Sequence, residues 1–421
     1  MSRVWPFVLV LSACAAPAGA QSLTIAQAVD EAVQHNLALM AERSSLSIAD
    51  AQMITARLRP NPVFSFSADH LDALGTGFSA ENNGGPPEIA WRVDVPLERG
   101  GKRDARIALA EAVHTIAEAQ FADGVRVLRQ DVTLACIDVM AAQATHTLLA
   151  DNLRSYEDLV RVNRARLTAG SIAPFEATRS EVAMLQFRST VVRAELDLAA
   201  ATARLRVLLG RSQGAPIEIA DALSSDERET AGQLDESTLE EVAVRARPDL
   251  RALELNEART VADLRLQEAL GKIDYTIGAE YRRQQGVAGR SNSLGLFFSA
   301  PLPVSNRNQG EIARATAERE QADRQIAARR AQISADVRTA YHEYATTRDL
   351  VGSIERDLLK PASRARDTSA YIYRAGGATL LELLDAQRAF NDTMQSYVDA
   401  QAAFRRAASR LNAAIGSEVV K

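Results

Sequence analysis

The stretch RLTAGSIAPFEATRSE (166–181) has a counterpart later in the chain, IYRAGGATLLELLDAQ (372–387). The two stretches align without gaps at an offset of 206 residues, which pairs Gly170 with Gly376. In each of them, a glycine-containing turn lies between two long segments whose apolar residues have helical spacing. Two matching turns of this kind predict a chain made of two copies of one helical-hairpin unit.

The duplication covers nearly the whole chain. The first copy is predicted to be residues 21–212 and the second residues 237–421, with 213–236 as the linker, because that segment is rich in Gly, Pro, Ser and Asp. The offset is 213 residues at the front of the copies, 205 from Pro96 to the turns and 206 from the turns onward. The alignment of the two copies rests on matches such as Pro96 with Pro301, Asp131 with Asp336, and Leu205 with Leu411.

Composition limits the class of protein. The chain has 421 residues, 47% of them hydrophobic and 5% aromatic, with a formal net charge of −5. This length can bury large surfaces. The nearly balanced charge, without a basic run, argues against a nucleic-acid partner. The many alanines suit closely packed helices better than a thick globular core.

Residues 1–20 are predicted to be a signal peptide. Arg3 supplies the positive charge, an apolar segment follows, and Ala18-Gly19-Ala20 fits a cleavage site before Gln21. The alternative is a lipobox, Leu-Ser-Ala-Cys, which would make Cys14 a lipidated N-terminus. Simple cleavage is preferred because the first copy begins only a few residues later. Either route takes the chain out of the cytoplasm.

Four short segments alternate between apolar and polar residues, which predicts two β-hairpins with one apolar face. Their connections are predicted at 71–87 and 284–292. The apolar positions are Phe64, Phe66 and Ala68; Ile89, Trp91, Val93 and Val95; Ile273, Tyr275, Ile277, Ala279 and Tyr281; and Leu294, Leu296, Phe298 and Ala300.

The remaining segments are predicted to be long helices. A heptad pattern without proline runs over 103–167, which as one helix would be about 100 Å long. The return helix is predicted at 174–209, and the second copy repeats the pair at 311–373 and 380–415, where Pro361 should perturb the first helix of the pair. Such helices need neighbours along their whole length.

Four amphipathic strands cannot close a barrel, since the smallest membrane barrels have eight. Other chains must therefore complete the sheet if it lies in a membrane, because bare strand edges are not tolerated there. Two alternatives remain at this point. The strands are also compatible with a small soluble sheet packed on helices, and the helices with a coiled-coil scaffold.

The chain resembles the TolC-type outer-membrane efflux channels over its mature length. The resemblance rests on the duplication, on the two turn motifs and on three further segments. These are LRPNP (58–62), ARPDLRALE (246–254) and PLPVSNRNQGEIARA (301–315). Another segment, PLERGGKRDARIALAEA (96–112), is similar to the heavy-metal branch of the family, the CzcC-like partners of cobalt–zinc–cadmium exporters.

The resemblance implies a mainly α protein with membrane β-structure. Each chain of a homotrimer would give four strands to a twelve-stranded outer-membrane barrel, in contact with lipid, and long helices to a periplasmic α-barrel. The implied function is passive export in a tripartite system, with a periplasmic membrane-fusion adaptor at the turns and an inner-membrane RND pump supplying energy. The chain itself shows no nucleotide site and no long membrane helix after the signal. Heavy-metal cations are the expected cargo, with drugs or secreted proteins as alternatives.

Glu382 and Asp385 follow the second turn and are three residues apart, so they share one helical face. In a three-fold assembly they would form acidic rings that favour cations. The resemblance implies that such acids line the periplasmic aperture. The alternative is an ordinary solvated helix face.

The resemblance also implies a latch and a docking surface at the turns. Tyr373 corresponds to a tyrosine that holds the closed state, and Glu176 to an acid that receives such a bond. Ala378 departs from the arginine of some members, so Arg374 is expected to substitute for it. The expected adaptor-docking residues are Leu167, Ala169, Gly170, Ser171, Ala375, Gly376 and Gly377.

Side chains that could carry catalysis or bind a metal are scattered. The five histidines show no paired spacing, and Cys136 has no CxxC partner. Gly100-Gly101-Lys102 is not a phosphate loop, because the first glycine of that motif is missing and Arg103 replaces its Ser or Thr. We therefore expect no enzyme activity, no metal site and no cofactor.

Overall fold

The computed structural model describes residues 22–71, 73, 75, 87–212, 217–223, 235–286 and 289–420. The predicted signal peptide, with Cys14, lies outside these residues, as does most of the predicted linker. Two compact units divide the chain, and each takes segments from both sequence copies. The helical unit is formed by described residues up to 41 and within 124–247 and 333–421; the sheet unit is formed within 42–123 and 248–332.

The order of elements repeats between the two copies. The first copy contains β1 (Ser22–Leu23), α1 (Ile25–His35), α2 (Leu37–Arg57), β2 (Val63–Asp69), β3 (Glu88–Leu97), α3 (Lys102–Thr168) and α4 (Pro174–Leu208). The second contains α5 (Glu236–Ala246), α6 (Pro248–Leu270), β5 (Tyr275–Gly286), β6 (Gly289–Ser299), α7 (Gln309–Ser353), α8 (Leu359–Arg374) and α9 (Leu380–Ile415). The predicted strands and long helices are confirmed.

Two connections differ from the prediction. A short strand, β4 (Glu218–Ile219), lies in the predicted linker and pairs in parallel with β1. Two residues are too few for periodicity to reveal. The predicted loop 284–292 is mostly strand, with ladder pairs as far as Gly286 and Gly289. Backbone groups make these pairs, so the polar side chains there do not end the ladder.

The sheet unit holds one antiparallel four-stranded sheet in the order β2-β3-β5-β6. Cross-strand register brings the apolar residues of all four strands onto one face. One row is Phe64, Val93, Ala279 and Leu296, and the next is Phe66, Trp91, Tyr281 and Leu294. Large side chains on this face are open to the surroundings, and Leu296 is 89% exposed. Among the described residues, nothing covers these side chains.

The opposite face of the sheet is polar and internally paired. Arg92 donates to Asp94 at 2.8 Å, and its guanidinium carbon lies 4.0 Å from the centroid of the Phe297 ring. Arg282 bridges Glu88 at 2.6 Å and Glu280 at 3.0 Å. A sheet with one apolar face and one charged face is suited to a position between an apolar medium and water.

Helix α3 is the one helix, among the residues described, that is long and apolar enough to span a membrane by length and composition. This differs from the expectation of no such helix after the signal. Its side chains nevertheless pack against protein: Val132 and Cys136 are fully buried, and Asp138 pairs with Arg406 of α9 at 2.7 Å. We read α3 as an amphipathic helix whose apolar side is covered by other helices.

Pro361 perturbs its helix as predicted. A π turn, Ile354–Leu358, separates α7 from α8, and the Leu359 N–H donates to the Ile354 carbonyl five residues back. Proline has no N–H to offer the carbonyl of Asp357, so the regular hydrogen-bond ladder cannot pass through this site. The wider turn holds one more residue than an α-turn.

Candidate functional site

The two glycine turns have the same geometry. Each helix ends in a Schellman motif, with Gly170 at φ 71° and Gly376 at φ 81°. In the first turn the N–H groups of Gly170 and Ser171 donate to the carbonyls of Leu167 and Arg166; the second turn repeats this with Gly376 and Gly377 donating to Tyr373 and Ile372. Glycine is favoured where φ is positive, because a Cβ would be strained there.

An apolar cluster lies beside the turns and joins both hairpins. Its buried members are Tyr156 of α3, Tyr373 of α8, and Leu380, Leu383 and Leu384 of α9. Phe187 of α4 stacks on Tyr156 with ring centroids 4.9 Å apart. Ala378, which departs from the family pattern, packs against this cluster. All four helices of the two hairpins therefore meet here.

Polar contacts reinforce the junction of the two turns. The hydroxyl of Tyr373, which is 4% exposed, donates to Asn163 Oδ1 at 2.7 Å. Arg166 donates to the carbonyl of Arg374 at 2.8 Å, and its guanidinium carbon lies 5.1 Å from the centroid of the Tyr373 ring. Arginine thus satisfies a carbonyl at the end of α8 that the helix leaves unpaired.

Within the chain, the predicted latch residue Tyr373 does not bond to Glu176, the acid expected to receive its hydrogen bond. Tyr373 has one hydroxyl proton, and that proton is directed to Asn163 rather than to Glu176. Glu176 is half-buried in the first turn of α4. Arg374 takes part through its carbonyl, which accepts from Arg166. A bond from a neighbouring chain to Glu176 or Arg374 stays a prediction.

Glu382 has a local role that the spacing argument did not include. Thr379 and Glu382 form a capping box at the start of α9: the Glu382 carboxylate accepts from the Thr379 N–H at 2.7 Å and from its hydroxyl at 3.0 Å. These bonds, the backbone one first, hold the pKa of Glu382 below its ordinary value. The side chain therefore carries its negative charge at neutral pH while it also caps the helix.

Asp385 is exposed and lies beside a cation. Arg388, one turn further along α9, approaches it to 3.7 Å, and both side chains are more than half exposed. A pair this exposed is held only weakly and leaves both charges free to act on their surroundings. The predicted acidic face therefore includes an arginine that partly offsets it.

The predicted docking residues lie at the outer end of both hairpins. Ala169, Gly170, Ser171, Ala375, Gly376 and Gly377 are exposed, and Leu167 is half-buried. Two large apolar side chains flank them, Phe175 at 72% and Tyr371 at 73% exposure. Both side chains are available for contact with another molecule at this end of the hairpins.

Sequence reasoning missed several residues of this site. Thr379-Leu-Leu-Glu382 is a capping-box signature that the sequence does carry. Asn163, Arg166 and Arg388 have no comparable signal, since their roles depend on which helices meet. Among the described residues, no group of three or more His, Cys, Asp or Glu side chains is arranged to hold a metal ion.

Comparison with known proteins is consistent with this geometry. A family model described as outer membrane efflux protein matches residues 28–211 and 240–417. The chain is 25% identical to the cobalt-zinc-cadmium resistance protein CzcC of Cupriavidus metallidurans over 94% of this chain and 90% of that protein. It is 25% identical to the nickel-cobalt-cadmium resistance protein NccC of Alcaligenes xylosoxydans xylosoxydans over 64% and 59%.

Among solved structures, CusC superposes with a TM-score of 0.76 at 17% identity, covering 94% of this chain and 92% of that one. At this identity the match concerns the fold. It confirms the predicted architecture of helical hairpins and paired β-hairpins.

Proposed function

Because this chain belongs to the outer membrane efflux protein family, we propose that three copies of it form a channel that exports heavy-metal cations. An efflux protein of the outer membrane needs a lipid-facing surface and a water-lined interior. The four-stranded sheet supplies both, with apolar side chains on one face and ion pairs on the other. This two-faced sheet is the observation that carries the proposal.

The sheet is incomplete in one chain. Strands β2 and β6 are its two ends, and each has one edge without a partner strand among the described residues. An unpaired edge is not tolerated in lipid, so further copies must pair with it. Three chains with four strands each would close a barrel within the size range of membrane barrels.

The cargo is inferred from the acids and the relatives. Two similar proteins carry cobalt, zinc, cadmium and nickel resistance in their names. Glu382 and Asp385 would line the aperture as rings in a trimer, and such rings favour cations over anions. Passage needs no tight binding, because ions must also leave.

The exposed turns are proposed to bind a periplasmic adaptor, which would connect the channel to an inner-membrane RND pump. Their small residues, with Phe175 and Tyr371 beside them, offer close approach and apolar contact. The chain would then act as a passive duct, with the pump as the source of energy.

The test is growth of a deletion strain on zinc, cobalt, cadmium and antibiotics, with and without the gene restored. Loss of metal tolerance alone supports the proposed cargo. Sensitivity to antibiotics with normal metal tolerance would replace it with a drug channel. Purified protein that gives no conductance in a planar bilayer would contradict the channel itself and favour an envelope scaffold.

A further inference from the structure

Four connections join the sheet to helices α2, α3, α6 and α7, and all of them lie at the same end of the antiparallel strands. The connections are residues 58–62, 98–101, 271–274 and 300–308. Each connection contains one cationic residue, and all four cationic side chains are exposed. We call them the basic belt; they are Arg59, Arg99, Lys272 and Arg307.

The two acids in these connections are already neutralised by helix α3. Asp274 accepts from the buried amine of Lys102 at 2.7 Å, and Glu98 accepts from Arg106 at 3.0 Å. Among the described residues, no carboxylate forms an ion pair with a cation of the basic belt. The positive charge at this end of the sheet is therefore left over for a partner outside the chain.

The duplication explains why Arg307 stays at the surface. At the offset of 205 residues, its counterpart is Lys102, which is buried against Asp274. At the offset of 213 residues, the counterpart of Asp274 is the uncharged Asn61. The second copy therefore lacks the acid that draws the equivalent cation inward.

Arg99 lies at the end of the apolar face of the sheet. Its guanidinium carbon is 4.4 Å from the centroid of the Tyr275 ring. Tyr275 in turn packs against Phe298 on the apolar face, with ring centroids 5.2 Å apart. A guanidinium over a ring keeps its N–H donors in its own plane, where they can bind a phosphate group. Tyrosine and a cation together are typical of the border between lipid and water.

Lys272 is held beside Arg99 by a glycine. Gly100 has φ 76°, and a Cβ at this position would lie 2.5 Å from Cδ of Lys272. The alkyl stem of Lys272 therefore crosses the backbone next to Arg99. Two cations of the basic belt are thus neighbours at the end of the apolar face.

The longest connection adds exposed apolar side chains to the belt. Leu302 is 82% and Val304 is 81% exposed, and the Val304 N–H donates to the Leu302 carbonyl at 2.9 Å in a tight turn. Arg307 donates to the carbonyl of Pro303 at 3.3 Å, which places this cation beside the turn. Apolar side chains next to a cation are suited to the boundary between acyl chains and headgroups.

We propose that the basic belt binds the phosphate headgroups of anionic phospholipids in the leaflet on the helix side of the sheet, while Leu302 and Val304 enter the acyl chains below them. The belt continues the apolar face, so the inference rests on the proposed function, which places that face in lipid. A free phosphate ion would satisfy the cations but not the exposed apolar side chains. Binding of headgroups would fix the height of the channel in the bilayer.

Spin-labelled lipids test the binding. Trimers are reconstituted in phosphatidylcholine bilayers, and electron paramagnetic resonance gives the association of spin-labelled phosphatidylglycerol relative to spin-labelled phosphatidylcholine. We expect the wild type to prefer phosphatidylglycerol. Arg99→Gln with Arg307→Gln should reduce this preference by about fivefold for each cation at a bound headgroup. Arg99→Lys with Arg307→Lys should retain most of it, because both charges remain.

The matched control is Arg319→Gln with Arg324→Gln. Both arginines are exposed on α7, and Arg319 is ten residues beyond the start of the helix, about 15 Å along its axis. This distance exceeds the screening length of about 8–10 Å, so the control should keep the wild-type preference. An equal loss in the two glutamine pairs would identify a general effect of charge and overturn the assignment to the belt.

Two outcomes with the wild-type protein separate this inference from the proposed function. A trimer that conducts ions but shows no preference for phosphatidylglycerol overturns the headgroup site and leaves the channel intact. A protein that does not insert into the bilayer overturns both. Inorganic phosphate should leave the lipid preference as it is in chloride at equal ionic strength, and its selective loss in phosphate would assign the belt to the free ion instead.

A nitroxide label measures the depth of the turn. Leu302→Cys is labelled and compared with Arg319→Cys, while Cys136 stays unlabelled because burial raises its pKa to about 12. We expect the label at 302 to collide more often with oxygen, which dissolves in lipid, and the label at 319 with a water-soluble nickel chelate. The same aqueous pattern at both positions would contradict insertion of the turn.

Discussion

At the residue scale, the site is organised by groups that satisfy one another at the turns. Arg166 binds a carbonyl at the end of α8, Asn163 accepts from Tyr373, and Glu382 caps α9 through Thr379. Each contact ties the end of one helix to a neighbour or to its own first turn. The same residues that could gate a channel therefore also hold its turns in shape.

The Tyr373–Asn163 bond should contribute measurably to stability. Tyr373→Phe leaves the buried amide of Asn163 without this donor, and its Nδ2 already has no partner among the described residues. We expect a loss of about 1–3 kcal/mol, the cost of an unsatisfied buried polar group. Thermal unfolding of the purified protein measures it.

The control for that variant replaces both partners. Tyr373→Phe together with Asn163→Leu removes the whole polar pair, which is expected to be nearly neutral. If the double variant were as unstable as the single one, packing rather than the hydrogen bond would explain the loss.

The acids after the second turn should set charge selectivity. Glu382→Gln with Asp385→Asn is expected to lower cation selectivity and to weaken block by multivalent cations, because the two substitutions remove six negative charges from a trimer. Glutamine retains an oxygen that can accept from Thr379, so the cap should persist. Reversal potential in asymmetric salt measures the effect.

The matched variant for this experiment is Arg388→Gln. It removes the cation beside Asp385 and should raise cation selectivity. Unchanged selectivity in the double acid variant would identify Glu382 and Asp385 as an ordinary solvated face.

At the element scale, the structure explains a change in the repeat offset. The copies match at 205 residues at Asp131 and Asp336 and at 206 from the turns onward, so the second copy has one extra residue in α7 or α8. The π turn at Ile354–Leu358 lies in that interval. A π turn holds an additional residue without rotating the helix beyond it. The residues of α8 therefore stay on the same helical faces as their counterparts at the end of α3.

Deletion of Arg356 should therefore be tolerated. The π turn would lose its additional residue while Pro361 would still interrupt the hydrogen-bond ladder, and we expect trimer content and helicity to stay near the wild-type values. Deletion of Ser155 in α3, an exposed residue in a regular helix, rotates everything after it by about 100°. Native mass spectrometry measures the trimer content of the two variants, and circular dichroism measures their helicity. An equal loss of trimer and helicity in both variants would contradict this role of the π turn.

The strand pattern predicts a lipid-facing row. Val93→Arg should hinder assembly at a cost of about 2–4 kcal/mol if the position lies near the bilayer centre. The control is Ser67→Arg, on the polar face opposite Ala90. Asp94 is a poor control, because its carboxylate pairs with Arg92 and an arginine there would create a like-charge contact. Equal folding yields of the two variants would contradict the assignment of faces.

At the scale of the whole molecule, one chain is an incomplete object. Among the described residues, its sheet ends in two open edges, its apolar strand face is uncovered, and α4 exposes large apolar side chains such as Phe175 and Leu185. Each of these features is unfavourable in isolation, and copies of the same chain would remove all of them together.

The oligomeric state is therefore a direct prediction. Native mass spectrometry in detergent should show three chain masses and little else, because a folded monomer would leave both sheet edges unpaired. A stable folded monomer or dimer would contradict the architecture.

The sequence alone determined the duplication, the glycine turns, the strand alternation and the long helices, because these depend on local spacing and on backbone rules at glycine and proline. It also determined the family through motifs that lie in those elements. The tertiary structure decided what no spacing contains: that Asn163 receives the Tyr373 proton, that Arg166 joins the two turns, and that α4 keeps large apolar side chains exposed. Those contacts link residues about 200 positions apart, and only the packing of one copy against the other brings them together.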